Sequence, residues 1–388
     1  MKKIISVILV ILVLNSCSFA QNNDFPFADK KDHKFKALKD SNFSEIISLS
    51  IDWFKNIQIS DGSFLYQTNA ESNIASDSQN YVRQAGSFYA LTEVYKRDLD
   101  NFYDLDNTIR SFAEFFKEKS ISGRYNGLNF YCILDEKNEC ILGQTALFLS
   151  GLVNYSMRNT SFYSEYEKYI EGYKNFILAM RIPEAGFISS FEDGKVLDKE
   201  ESAFFNGEAF LALALYYRYL NDKNVLEEIV SVWPYFRDLY GKNFDGNFYL
   251  WGMLALKELY YVVDMKEIVD FTALYSRSRV KKYSRLKDSS DSMCPFLEGI
   301  SAANFILKDE ETEFAETFRH EFEFWLQKNS LFQIKGDEFY DFKIKNLRNS
   351  KGGFVSAMDD PTLRIDNTQH CLNAFLIKYV DLEGQSLP

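Results

Sequence analysis

Glu208 and Glu298 occupy matching places in the chain, each next to a glycine and each at the opening of a long apolar run. Glu208 follows Asn206-Gly207 and leads into Ala209-Phe210-Leu211-Ala212-Leu213, while Glu298 sits between Phe296-Leu297 and Gly299-Ile300. Two carboxyl groups converging on one cavity suit cleavage of a glycosidic bond. One, in its acid form, protonates the leaving oxygen, and the other activates water or attacks. Burial raises a carboxyl pKa and a helix N-terminus lowers it, so these residue types leave open which glutamate is the acid. The ordinary alternative is that a glutamate near a helix start only complements the helix dipole.

Four more polar openings accompany them: Arg83-Gln84, Gly143-Gln144, Leu250-Trp251-Gly252 and Gln369-His370. Gln84, Gln144 and Asn206 are candidate hydrogen-bond partners for substrate hydroxyls, and Arg83 is a candidate partner for an acidic group. Trp251 offers a stacking platform or a core packing role. His370 is a candidate acid, base or substrate ligand, or a hydrogen-bonded core histidine. Asp61, Asp245 and Asp366 are reserve carboxylates, although the first two lie in Asp-Gly turns, where aspartate is favoured for local hydrogen bonding alone.

The six openings recur about every 50–65 residues, a period that marks repeated supersecondary units. Between them lie amphipathic stretches near residues 43–59, 104–120, 164–180, 225–240, 266–276 and 312–328. Trp53, Phe54 and Ile57 share one side of the first, and Phe314, Phe318, Phe322 and Trp325 one side of the last. The order is therefore outer helix, turn, inner helix, six times. Glycine-aromatic turns recur at Asp61-Gly62-Ser63-Phe64, Ser122-Gly123-Arg124-Tyr125, Glu184-Ala185-Gly186-Phe187, Asp245-Gly246-Asn247-Phe248 and Gly352-Gly353-Phe354. Glycine at these points is expected to end the outer helix with positive φ. The fifth unit carries a basic, serine-rich loop at residues 279–291 instead, and the sixth a long connection at 330–366.

Six outer/inner hairpins with glycine-aromatic turns resemble the six-hairpin glycosidase-like superfamily, over residues 43–380. The resemblance implies an all-α fold, an (α/α)6 toroid with short β pieces in its turns. In such a ring the inner-helix N-termini converge on one pole, which would gather Gln84, Gln144, Glu208, Trp251, Glu298 and His370. Helix N-termini favour anions, so an acidic sugar would be accepted there. The superfamily holds glycoside hydrolases, polysaccharide lyases and sugar epimerases, and fold does not choose among them. The favoured expectation is a glycoside hydrolase acting on an oligo- or polysaccharide. A non-catalytic, membrane-tethered glycan-binding or assembly lipoprotein is the alternative, and a lyase or epimerase the third. The epimerases are known for a histidine pair, whereas His33 and His320 lie away from the openings and only His370 is at one. Lanthionine cyclases on related toroids bind zinc through Cys/Cys/His. Cys294, Cys371 and His370 lack that spacing, so a disulfide or plain thiols are expected and no metal.

Composition narrows the partners. The chain has 388 residues and a formal net charge of −12, against a phosphate-backbone binder. No phosphate loop, dinucleotide fingerprint or serine nucleophile elbow stands out, so no cofactor is expected. Lys2 and Lys3 followed by an apolar run from residue 4 to 14 match a secretory signal, too short to span a bilayer. Leu14-Asn15-Ser16-Cys17 resembles a lipobox, with Cys17 as the lipidated residue; Ser18-Phe19-Ala20 is a competing cleavage site. The expected organisation is a signal peptide at 1–20, a polar tether at 21–40 and the toroid at 41–388. Export would permit a Cys132–Cys140 staple.

Overall fold

Two kinds of helix alternate along the chain, and their burial explains why. The computed structural model describes residues 42–387, except 99, 101–102, 193–194, 199–200, 264, 284–290 and 337–339. The expected signal peptide, the tether and Cys17 lie outside the described residues. Helices α1 (Phe43–Ile57), α3 (Asp106–Glu118), α5 (Thr160–Ala179), α7 (Lys223–Lys242), α9 (Met265–Tyr283) and α11 (Glu313–Ser330) form the outer set. Helices α2 (Tyr81–Arg97), α4 (Leu142–Ser156), α6 (Ala203–Leu220), α8 (Gly246–Leu259), α10 (Cys294–Ile306) and α13 (Ile365–Leu376) form the inner set. A four-residue helix α12 (Leu347–Ser350) lies in the last connection.

The inner helices are buried on nearly every side. Every residue of α4 is buried, and α6 is buried from Asn206 to Tyr216. Such helices are stable only inside a core. The outer helices bury one stripe; α3 buries Ile109, Phe112, Ala113, Phe115 and Phe116 and turns its charges to solvent. Each inner helix packs on the next, and α13 packs back on α2 to close the ring. Asn42, Asn80, Asn159, Asp222, Asp245 and Thr312 cap helices with their side chains.

Short strands occupy the turns. Strand β1 (Gln67–Asn69), from the first hairpin, pairs with β9 (Asp360–Arg364), from the last, and so ties the ends of the ring together. Strands β2 (Ile74–Ala75) and β8 (Val355–Ala357) extend that sheet on either side. Strands β3 (Ser120–Tyr125) and β4 (Leu128–Ile133) form a hairpin, and β5 (Cys140–Ile141), β6 (Ser190–Glu192) and β7 (Lys195–Asp198) a small sheet.

Several turn expectations change. Positive φ occurs at Gly62 and Gly352, where a Cβ would fall 2.2 Å from the Ser111 carbonyl oxygen and 1.9 Å from that of Leu49. In the third unit Glu184, not Gly186, takes positive φ. The segment Ser122–Tyr125 is strand rather than turn, because the reversal falls at Asn126-Gly127, both left-handed, and Gly123 lies under the Phe130 ring. Asp245-Gly246 starts α8, and Arg279 belongs to helix α9 rather than to a loop.

Cys132 is bonded to Cys140, and Cys294 to Cys371. The second bond joins the start of α10 to the middle of α13. At the other end of the ring the inner helices finish in buried charges. Arg97 pairs with Glu93 and, at 2.7 Å, with Asp381; Lys257 meets Asp381 at 2.8 Å, and Lys96 meets Glu93 at 2.7 Å. This cluster plugs the barrel opposite the inner-helix N-termini.

Candidate active site

A cavity of about 570 Å³ opens at the N-terminal pole of the inner helices. Its wall includes Glu208, Trp251, His370, Asp366, Arg83 and Leu147. Helix geometry decides which polar residues reach it. Counted from each helix start, the sixth residues of α4, α6, α8 and α13 are Leu147, Glu208, Trp251 and His370, and all line the cavity. The fourth residues of α2, α4, α6 and α13 are Gln84, Thr145, Asn206 and Thr368. Two positions apart on a helix is about 200° of rotation, so the fourth residues face away, toward the preceding turn.

There they hold backbone. Gln84 accepts from the Phe64 N–H at 3.1 Å and donates to the Phe64 carbonyl at 2.6 Å. Thr145 accepts from the Ile133 N–H at 3.3 Å, and its neighbour Gln144 donates to the Ile133 carbonyl at 2.6 Å. Asn206 accepts from the Phe187 N–H at 3.0 Å and donates to Glu201 and Tyr240. Thr368 accepts from the Phe354 N–H at 3.0 Å. Gln84, Gln144 and Asn206 thus have their polar atoms committed to turns. Replacing Asn206 by Ala leaves the Phe187 N–H without its acceptor, and urea unfolding should show a loss of about 1–3 kcal/mol.

Glu208 is almost fully buried, and its Oε2 has no hydrogen-bond partner in the protein. Burial alone holds its carboxyl well above the usual carboxylate range, which favours the protonated form. Gly143 makes the space: a Cβ there would lie 2.0 Å from Glu208 Oε2 and 2.6 Å from the Phe205 ring. Gly143→Ala should therefore push the carboxyl aside. The expected loss of turnover is roughly tenfold or more, with at most about 1–3 kcal/mol lost in unfolding measurements.

His370 and Glu298 act as a unit. His370 Nδ1 lies 2.6 Å from Glu298 Oε2, and Glu298 Oε1 accepts from Asn373 Nδ2 at 2.8 Å. Glu298 is fully buried behind the histidine, with both oxygens occupied. A carboxylate on Nδ1 fixes the Nδ1–H tautomer and leaves Nε2 as the basic nitrogen for the cavity. Trp251 sits beside the imidazole, with ring centroids 5.6 Å apart.

Asp366 lies between two guanidiniums: Arg83 Nε is 3.0 Å and Arg364 Nη2 2.9 Å from its oxygens. Arg83 also contacts the Tyr66 hydroxyl. Asp61 and Asp245 do not reach the cavity. Asp61 is exposed and accepts from Ser63, and Asp245 caps α8. Cys294 and Cys371 are spent on each other. Asn80, Asn247, Arg279, Arg364 and Gln369 also stand in the wall, beyond the site residues expected from the sequence. Asn80 carried a signal, since an asparagine before an apolar helix reads as its N-cap. Gln369 is seated against Gly86, whose Cβ would fall 2.4 Å from its amide nitrogen.

No protein-family model matches the chain, and no curated protein matches it in sequence. Solved structures are similar to it. A D-mannose isomerase superposes with a TM-score of 0.65 at 11% identity, covering 88% of this chain and 98% of that one. An inactive α-1,6-mannanase of family GH76 from Salegentibacter sp., in complex with α-1,6-mannotetrose, gives 0.61 at 12% identity, covering 87% and 99%. An unsaturated glucuronyl hydrolase specific for heparin gives 0.58 at 11% identity, covering 89% and 98%. The fold is an (α/α)6 toroid like that of these neighbours, which include both glycoside hydrolases and a sugar isomerase.

Proposed function

We propose that the protein is a carbohydrate-active enzyme that cleaves a glycosidic bond, with Glu208 as the acid and His370 as the base. The observation that carries this reading is the unpartnered, buried Glu208 carboxyl in the wall of the cavity that His370 also lines. Glu208 gives its proton to the leaving oxygen as the bond to the anomeric carbon breaks. His370 Nε2 takes a proton from water, whose oxygen bonds to that carbon. Glu208 ends as a carboxylate and His370 as an imidazolium facing Glu298, and solvent returns the protons. This revises the pairing of Glu208 with Glu298. Glu298 acts through His370, which it orients and whose charge it stabilises.

Substrate preference follows from charge. Arg83, Arg279 and Arg364 stand in the cavity wall, and Asp366 there meets both Arg83 and Arg364. Two guanidiniums on one carboxylate leave a surplus of positive charge at that part of the wall, in a chain of net charge −12, which favours a sugar carrying a carboxylate or sulfate. Trp251 offers a face for a sugar ring. One observation favours a second reading. A buried carboxyl held toward its acid form together with an imidazole base, with no second unpaired carboxyl among the described wall residues, also suits sugar isomerisation. There His370 would remove a proton from the carbon beside the carbonyl, and Glu208 would protonate the oxygen.

Export as a lipoprotein is part of the proposal. Of the five cysteines, four are paired in disulfides, which leaves Cys17 of the lipobox-like segment as the remaining thiol. The test is to incubate the soluble chain with neutral and uronate-containing oligosaccharides in deuterated water and follow products by NMR. New reducing ends support hydrolysis. Deuterium at the carbon beside the carbonyl, without cleavage, supports the isomerase. Binding without turnover of any sugar would overturn both in favour of a binding module.

A further inference from the structure

His370 rests on Glu298, and Glu298 rests in turn on Asn373. Asp366, His370, Asn373 and Ile377 follow one another at four-, three- and four-residue spacing, so they share the face of α13 directed at the ring axis. Asp366 and His370 line the cavity; Asn373 and Ile377 border a second, much smaller space of about 10 Å³ beyond it. Tyr89, Glu93, Lys257 and Glu258, with Leu254 and Leu376, form the rest of that space, which is also the top of the ionic plug. Asn373 therefore stands at the boundary between the site and the plug.

Its two polar atoms face different ways. Nδ2 donates to Glu298, and Oδ1 is buried with no partner from the protein. A space of about one water volume beside polar groups is suited to an ordered water, which would satisfy Oδ1 and keep the amide turned with Nδ2 on the carboxylate.

From this arrangement we infer that Asn373 is a positioning residue for the cavity base, and that the space beside it is an ordered-water site linking the base to the Lys257 end of the plug. By holding Glu298 Oε1, Asn373 fixes the carboxylate plane and so the imidazole ring. By drawing charge toward Oε1, it also lowers the charge that Oε2 presents to His370. The titratable groups that touch His370 or share its cavity wall are Glu298 from α10, Asp366 from its own helix, Arg83 from α2, Arg364 from β9, Glu208 from α6 and Arg279 from α9. Of these, Asn373 hydrogen-bonds Glu298, so a change at Asn373 reaches His370 through that carboxylate. Removing the donor leaves more charge on Oε2, which stabilises the imidazolium.

The inference rests on His370 as the base of the proposed reaction, but its first test needs no substrate. The chain has three histidines, His33, His320 and His370, so the His370 ring signal is assigned by its loss in His370→Gln. In Asn373→Leu, which keeps the side-chain size, the His370 titration midpoint should rise by about one pH unit. Asn373→Val serves if the leucine variant fails to fold. Once a substrate is known, kcat should fall roughly 10–100-fold with KM nearly unchanged, and the acidic limb of the profile should move to higher pH. An unchanged His370 titration in a folded variant overturns the positioning role. Because the titration is read without turnover, it can fail while the proposed reaction stands, and the reverse.

Discussion

Replacing Glu208 by Gln is expected to lower turnover by roughly 10²–10⁴-fold while making the protein more stable at neutral pH. Both effects come from one property. The carboxyl is buried without a partner, and burial raises its pKa. A group with a raised folded pKa contributes stability that is complete below its unfolded value, about 4.3, and is lost as pH rises through the folded value. Gln cannot ionise, so thermal midpoints of the variant should stay flat where those of the parent decline. Near neutral pH the gain should be about 1–3 kcal/mol. A variant that loses stability at neutral pH would mean that Glu208 has a structural partner, and the acid role would fall with it.

The second large effect lies at the other end of the barrel. Asp381 joins Arg97 of α2 to Lys257 of α8. Desolvation pushes the Asp381 carboxyl up, but Arg97 and Lys257 outweigh it and hold it far below the usual range. For Glu93, desolvation acts the same way, and Lys96, Arg97 and Lys257 again prevail. Asp381→Ala leaves two buried cations facing each other and should cost about 3–5 kcal/mol in urea unfolding. Depressed carboxyls add stability that is present above their unfolded pKa, about 4, and lost as pH falls. The parent should therefore weaken progressively below about pH 4–5, and Asp381→Ala should show a shallower acid decline. An unchanged acid limb in the variant would show that the plug does not set acid stability.

The architecture was legible because burial pattern and helix period agree. Helices such as α4 and α6, apolar on every side, have to form the inner ring, and striped ones such as α3 the outer. The candidate site was half legible. Gln84, Asn206, Glu208, Trp251 and His370 all read as helix openings, yet they fall at fourth or sixth positions, and helix starts in a single sequence are uncertain by more than that. Two residues of offset turn a side chain from the cavity to a turn. That separates the clamp at Asn206 from the acid two residues later. Glu298, fifth in α10, points at neither and backs His370. The partnership of Glu298 with His370 joins neighbouring helices across 72 residues, and no local pattern announces it. Arg279 and Arg364 escaped because their roles depend on how α9 and β9 are brought to the pole.

The pH profile of kcat/KM, measured on the parent, Glu208→Gln and His370→Gln, tests the acid–base pair most directly. The parent should give a bell, with activity lost at high pH as Glu208 ionises and at low pH as His370 takes up a proton. Residual activity of Glu208→Gln should lack the alkaline limb, and that of His370→Gln should lack the acidic limb. Both limbs persisting in both variants would contradict the assignment of Glu208 and His370 as the reacting pair.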